Sequence, residues 1–234
     1  MTGYHTHQTR IAIAGVDDLL IRSLADRQQF HDPRGHAEHL GISSAAWPLF
    51  GLAWPSGLAL ATLLARREVR IGERILEIGC GLALPSLVGH RRGADVTASD
   101  CHPLAAGFLR ANLRLNGLAP MDYRHGQWNI PLRDRERVGP LRGDTPHGSV
   151  VRGRFDLIVG SDLLYERDAS GGLVAFIARH AQPQAVVWIV DPDRGNRAGF
   201  HRRMAAEGFR CAEVRLDTAA YKGRLITCER GALS

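Results

Sequence analysis

Arg74-Ile75-Leu76-Glu77-Ile78-Gly79-Cys80-Gly81-Leu82-Ala83-Leu84-Pro85 runs a short apolar stretch into two glycines and then into a helical pattern. It reads as a buried strand, a tight turn and a helix start. Glycines at 79 and 81 let the backbone turn sharply and come close to a ligand, and the following helix aims its unpaired N–H groups at the same point. A dinucleotide fingerprint wants glycine at the position of Leu84, whereas the next small residue here is Ala83, which weakens a dehydrogenase reading. Asp95-Val96-Thr97-Ala98-Ser99-Asp100 reads as a second strand ending in a carboxylate. It lies about 20 residues on, where it can accept both hydroxyls of a ribose. A nucleoside ligand follows.

Two glycines after a strand can also be an ordinary turn, and it is the carboxylates that separate the readings. Glu77 stands two residues before Gly79, at the strand's carboxyl end. There it would repel a pyrophosphate and attract an ammonium group. S-adenosylmethionine carries that ammonium beside a ribose, and it is the cofactor these residues imply.

Outward from this stretch, 234 residues suit one α/β domain over residues 46–234, with residues 1–45 as an N-terminal extension or lid. An apolar content of 44% is ordinary for a soluble chain. No apolar run is expected to reach the roughly 18 residues of a membrane span, and residues 1–30 lack the layout of a signal peptide. A cytoplasmic protein with no membrane partner is expected. Cys80, Cys101, Cys211 and Cys228 are scattered without metal-ligand spacing, which fits reduced thiols and no metal site. The net charge of +6 comes almost wholly from arginine, Lys222 being the one lysine. Arginine with abundant Ala and Gly reflects a GC-rich and hence bacterial genome more than a ligand. The arginines form no dense cluster, so a solvated surface is favoured and a nucleic-acid partner is disfavoured.

Residues 1–45 are polar and mixed, with a short strand expected at Ile11–Ala14, a helix at Asp17–Gln29 and a surface turn at 31–36. Trp47 and Phe50 read as packing that closes the next helix onto a sheet. Trp54 is the better ligand candidate, because Pro55 and Ser56 begin that helix beside the glycine turn. A helix is expected at Pro103–Asn116 and a third strand at Met121–His125, followed by Trp128, which suits either core packing or contact with a purine. Residues 131–153 carry no apolar period and read as a surface loop. Phe155–Gly160 is a central strand that ends in Ser161-Asp162-Leu163-Leu164-Tyr165. Helices at Leu173–His180 and Arg197–Glu207 flank a strand at Ala185–Val190, and Phe209–Leu216 with Arg224–Glu229 form a terminal antiparallel pair. The count is seven strands.

Trp54-Pro55-Ser56-Gly57, Leu76-Glu77-Ile78-Gly79-Cys80-Gly81, Asp100, Trp128 and above all Asp162-Leu163-Leu164-Tyr165 resemble the seven-β-strand S-adenosylmethionine-dependent methyltransferases, over roughly residues 45–230. Within them the likeness is to the protein-lysine methyltransferase group of the valosin-containing-protein and electron-transfer-flavoprotein β-subunit enzymes, which carry a D/E-x-x-Y motif after the fourth strand. Asp191-Pro192-Asp193-Arg194 also resembles a GDPGR-like loop of the flavoprotein enzymes, with Val190 and Asp193 departing from it. The resemblance implies a Rossmann-like seven-stranded α/β sheet with helices on both faces. It implies further that Gly79, Cys80 and Gly81 contact S-adenosylmethionine through their backbone, that Glu77 binds its amino group and that Asp100 holds its ribose. Trp54, Trp128 and Ser161 would line the cofactor pocket, and Asp162 with Tyr165 would form the amine-facing mouth. Ala83 replaces the usual third glycine.

The activity this implies is N-methylation of a lysine presented by a protein partner. A small-molecule amine methyltransferase of the nicotinamide kind would share every cofactor residue, and a non-catalytic cofactor-binding protein is the reading that Ala83 favours. A nucleic-acid adenine enzyme would want prolines within its D/N-P-P-Y/F motif, which 162–165 lack.

Overall fold

The structure is a computed structural model, and it describes residues 3–128, 150–164, 171–193 and 195–231. Two strands, β1 (Thr6–Ile11) and β2 (Leu19–Leu24), precede a short helix α1 (His36–His39) and a 3-10 turn at Trp47–Gly51. There follow α2 (Pro55–Arg66), β3 (Arg74–Ile78), α3 (Leu84–Arg91), β4 (Asp95–Asp100), α4 (Ala105–Leu115) and β5 (Asp122–His125). The chain continues with β6 (Phe155–Ser161), α5 (Gly172–His180), β7 (Ala181–Asp191), α6 (Arg197–Ala206), β8 (Phe209–Asp217) and β9 (Lys222–Arg230).

Seven strands form one sheet in the order β5-β4-β3-β6-β7-β9-β8. The first five are parallel, and β9 and β8 close it as an antiparallel pair. Alternation along the strands explains why helices cover both faces. Ile75, Leu157 and Val159 pack with Leu60 and Leu64 of α2, while Leu76, Ile78 and Ile158 pack with Val174 and Ile177 of α5 and Met204 of α6. Strand order reverses between β3 and β6, so the crevice at their carboxyl ends is where an open α/β sheet takes a ligand. Ile78 pairs with Ser99 on one side and Gly160 on the other, which ends all three strands at one level.

Three expectations are corrected. Residues 19–24 are a strand, not part of a helix over 17–29, because Leu19, Ile21 and Leu24 are buried in near-alternation and pair with β1. Cys211 and Cys228 are not free thiols: they face each other across β8 and β9 and form a disulfide, with Cα atoms 4.0 Å apart. A separation of 17 residues hides that pairing until the hairpin register is known. The stretch Trp47–Arg66, 20 residues long with a mean hydropathy of 1.5, does reach the length and apolar content of a membrane span. Half of it is buried in the protein, and the extended residue Trp54 separates the 3-10 turn from α2. Most of the loop expected at 131–153 lies outside the described residues; Val150 forms a parallel bridge to His125.

The β1–β2 hairpin is held by two asparagines one turn apart on α4. Asn112 Oδ1 accepts the Arg22 N–H at 2.8 Å, and Asn116 Oδ1 accepts the Leu20 N–H at 2.9 Å. Asn116 Nδ2 donates to the Leu20 carbonyl at 2.8 Å, and Asn112 Nδ2 to the Arg22 carbonyl at 3.4 Å. Residues i and i+4 of a helix match residues i and i+2 of a strand in spacing, about 6 Å against 6.7 Å, so the two amides imitate a neighbouring strand along this edge. Asn112 is fully buried, so Asn112→Ala would leave two backbone groups unpaired. We expect it to cost about 1–3 kcal/mol in urea denaturation; a loss below about 0.5 kcal/mol would show that the clamp carries no load.

Candidate cofactor and acceptor site

A cavity of about 420 Å³ opens at the carboxyl ends of β3, β4 and β6. Its floor is the turn after β3. Gly79 and Gly81 are both left-handed, with φ of 59° and 51°. A Cβ on Gly81 would stand 2.7 Å from the Phe50 carbonyl oxygen, and one on Gly79 would stand 2.5 Å from Leu163 Cδ2 and 3.3 Å from Trp128. Gly81 therefore requires glycine for room as well as for backbone angle, whereas at Gly79 the left-handed angle is what favours glycine, the leucine end being able to shift. Ala83, also left-handed at φ 60°, is the N-cap of α3 and buried; its methyl group costs about 1–2 kcal/mol in that conformation relative to glycine.

Glu77 is 2% exposed and lines the cavity. Its Oε2 accepts the backbone N–H of Ser86 at 2.8 Å and the Ser86 hydroxyl, both from the first turn of α3. Burial pushes its pKa from 4.5 up to about 8, against the pull of the Ser86 bonds. Asp100 is held by the same turn: Oδ2 accepts the Gly81 N–H and Oδ1 the His102 N–H, each at 2.8 Å. Burial raises its pKa too, and Asp100 in turn helps hold up that of the buried Cys80 thiol. Asp100 lines the cavity, so its carboxyl group is placed to accept from a ribose hydroxyl.

The other expected residues come to the same cavity. Trp54, the N-cap of α2, donates its indole N–H to the Leu49 carbonyl at 2.8 Å and lines the wall. Trp128 lines it while packing edge-on against Phe176 at 5.9 Å. Phe50, read as packing, also reaches the cavity and stacks on His102 at 3.6 Å. Ser161 and Asp162 stand at its rim. Asp162 is left-handed, at φ 57°, its N–H donates to the Val190 carbonyl at 3.0 Å, and its Oδ2 accepts the Ser56 hydroxyl. Tyr165 lies outside the described residues.

Sequence reasoning missed Ser86, His102, Gln127 and the contribution of Leu40, Gly41 and Ile42, which line the wall although residues 1–45 were set apart as an extension. Gln127 Nε2 donates to the Leu40 carbonyl at 2.8 Å, tying that segment to the loop after β5. The one available signal was Ser86 in a helix first turn nine residues after a carboxylate. Among the described residues no three His, Cys, Asp or Glu side chains gather as a metal site.

The strand order, the antiparallel final pair and the glycine turn at the reversal point define the S-adenosylmethionine-dependent methyltransferase fold. Solved structures agree: a methyltransferase from Pyrococcus furiosus superposes with a TM-score of 0.56 at 19% identity, over 83% of this chain and 97% of that one. No protein-family model matches the chain. Several curated relatives are named as protein-lysine methyltransferases, and one as a histone-arginine methyltransferase. The electron transfer flavoprotein beta subunit lysine methyltransferase of Danio rerio is 31% identical over 164 residues, 66% of this chain and 56% of that protein. Protein N-lysine methyltransferase METTL21A of the same organism is 26% identical over 214 residues, 89% of this chain and 92% of that one. The chain thus spans little more than half of the flavoprotein relative.

Glu77 gives the protein a pH signature. Because its folded-state pKa is raised from 4.5 to about 8, the stability it contributes is present at low pH and is lost as pH rises through that window. Glutamine imitates the protonated form. In denaturation between pH 5 and 8.5, Glu77→Gln should gain on the wild type by more than about 1 kcal/mol as pH rises; a pH-independent difference would mean that Glu77 is ionised in the folded protein.

Proposed function

We propose that this chain is an S-adenosylmethionine-dependent methyltransferase that N-methylates a lysine side chain of a protein substrate. The observation that supports this most is the convergence of three carboxyl groups, Glu77, Asp100 and Asp162, on one cavity floored by a left-handed glycine turn. The residues fit the cofactor. The turn leaves no space for a Cβ at Gly81, Glu77 is a buried carboxyl group that can ionise against an ammonium group, and Asp100 lines the same cavity as a hydroxyl acceptor.

S-adenosylmethionine supplies a methyl group already activated on a sulfonium, so the protein's task is alignment and charge management. Gly79, Cys80 and Gly81 bring their backbone to the cofactor, Glu77 takes its amino group, Asp100 its ribose, and Trp54, Trp128 and Ser161 close the walls. The apolar rim made by Leu163 and Trp128 strips water from an entering amine and favours its neutral form. Asp162 accepts that amine's hydrogens and so turns the nitrogen lone pair towards the methyl carbon. With the cofactor bound, the N–C bond would form at the expense of its C–S bond, and a neutral thioether would be left. The positive charge now on nitrogen faces the Asp162 carboxylate until a proton passes to solvent. The D-x-x-Y motif assigns Tyr165, three residues on in sequence, to the same substrate-facing task.

Purified protein incubated with a cell extract and methyl-labelled cofactor should place the label on a protein, recovered as methyllysine after hydrolysis. Label confined to small molecules would replace the substrate with a free amine, and no label anywhere would leave a binding protein. On the identified substrate, Asp162→Asn should lower turnover by about 10²-fold or more while changing cofactor affinity less than about tenfold. Full activity in that variant would remove Asp162 from the chemistry.

A further inference from the structure

We infer that Ser56 is a positioning residue of the methyl-transfer site, fixing the carboxylate of Asp162 against the first turn of α2; this rests on the function proposed above. The two residues are 106 positions apart in sequence. The fold joins them because α2 packs on β6: a Cβ on Gly57 would stand 3.5 Å from Ser161 Oγ, so the helix start abuts the strand end. Ser56 is 1% exposed, and its hydroxyl donates to Asp162 Oδ2.

The backbone makes this pairing necessary. Strand pairing runs on through the Asp162 N–H, bonded to the Val190 carbonyl, and then breaks, because Asp162 is left-handed. A non-glycine residue adopts that conformation at a cost and persists in it only where its surroundings hold it. The turn sends the next side chain, Leu163, back over Gly79 and Gly160, where its Cδ atoms would stand 2.5 Å from a Cβ on either glycine. It leaves the Asp162 side chain facing the start of a 12-residue helix, whose unpaired N–H groups favour a negative charge. The Ser56 hydroxyl then favours the rotamer of the carboxylate that meets the helix start. A carboxylate offers about four acceptor positions, and the serine hydroxyl takes one of them, on Oδ2.

The chemical consequence is specific. An acceptor that must aim a nitrogen lone pair loses rate when it wanders by a fraction of an ångström, and it loses that rate in turnover more than in cofactor binding. Ser56 touches neither methyl donor nor acceptor in this scheme; it acts through Asp162.

The test is a double-mutant cycle on the full chain, with labelled cofactor and the identified substrate. Ser56→Ala should lower kcat about tenfold and leave the KM for cofactor within about twofold, with the protein folded by circular dichroism. In an Asp162→Asn background the same change should cost less than about twofold, because the group it positions is already lost. Ser56→Ala with wild-type kcat, or with an equal loss in both backgrounds, would overturn the inference. A loss that appears in the cofactor KM rather than in kcat would do the same, by making Ser56 a wall residue. A wild type that binds S-adenosylmethionine yet methylates nothing would contradict the proposed function itself, and this role with it.

Discussion

A carboxyl group with 2% of its surface exposed, in the middle of a seven-stranded sheet, is expensive to keep there. Glu77 meets that cost partly by taking two hydrogen bonds from Ser86 and partly by holding its proton up to about pH 8. Those bonds require α3 to begin directly above the end of β3. That placement requires a very tight turn, and the turn requires left-handed backbone at Gly79, Gly81 and Ala83 in succession. From one buried carboxyl group follow the shape of the loop, the position of the helix start and the cavity beside them.

The second carboxylate follows from the first. With the turn fixed, the Gly81 N–H points at the end of β4, and Asp100 receives it together with the N–H of His102. His102 is itself buried, held neutral by a pKa pushed down to about 3, and locked between Phe50 and Trp47. The aromatic cluster below the 3-10 turn, the glycine loop and the ribose-facing carboxylate are thus one packed unit. Asp162 belongs to the opposite wall and is governed by α2 instead, which separates the part of the site that holds a cofactor from the part that meets an acceptor.

How much of this was legible in the sequence depended on range. The α/β alternation, the central strands and the glycine turn were readable because apolar runs and turn residues report local backbone directly. Glu77, Asp100 and Asp162 were readable because each sits at a fixed offset from such a run. Leu19–Leu24 was not, since six residues of which only Arg22 and Ser23 are polar fit either period, and only the pairing with β1 and the asparagines at 112 and 116 decide it. The disulfide between Cys211 and Cys228 needed a strand register, and the bond between Ser56 and Asp162 needed the packing of α2 on β6. Ala83 looked like a defect in a glycine motif; the structure shows the same left-handed angle achieved with a methyl group in place.

At pH 7 Glu77 keeps its proton until an ammonium group meets it, and the decisive measurement is calorimetric titration with S-adenosylhomocysteine at that pH in two buffers of different ionisation enthalpy. One site with a dissociation constant in the micromolar range or below is expected, with net release of protons as Glu77 ionises against the ligand's amino group, and no comparable binding of NAD. Binding of NAD in its place, or tight binding of S-adenosylhomocysteine without proton release, would contradict it.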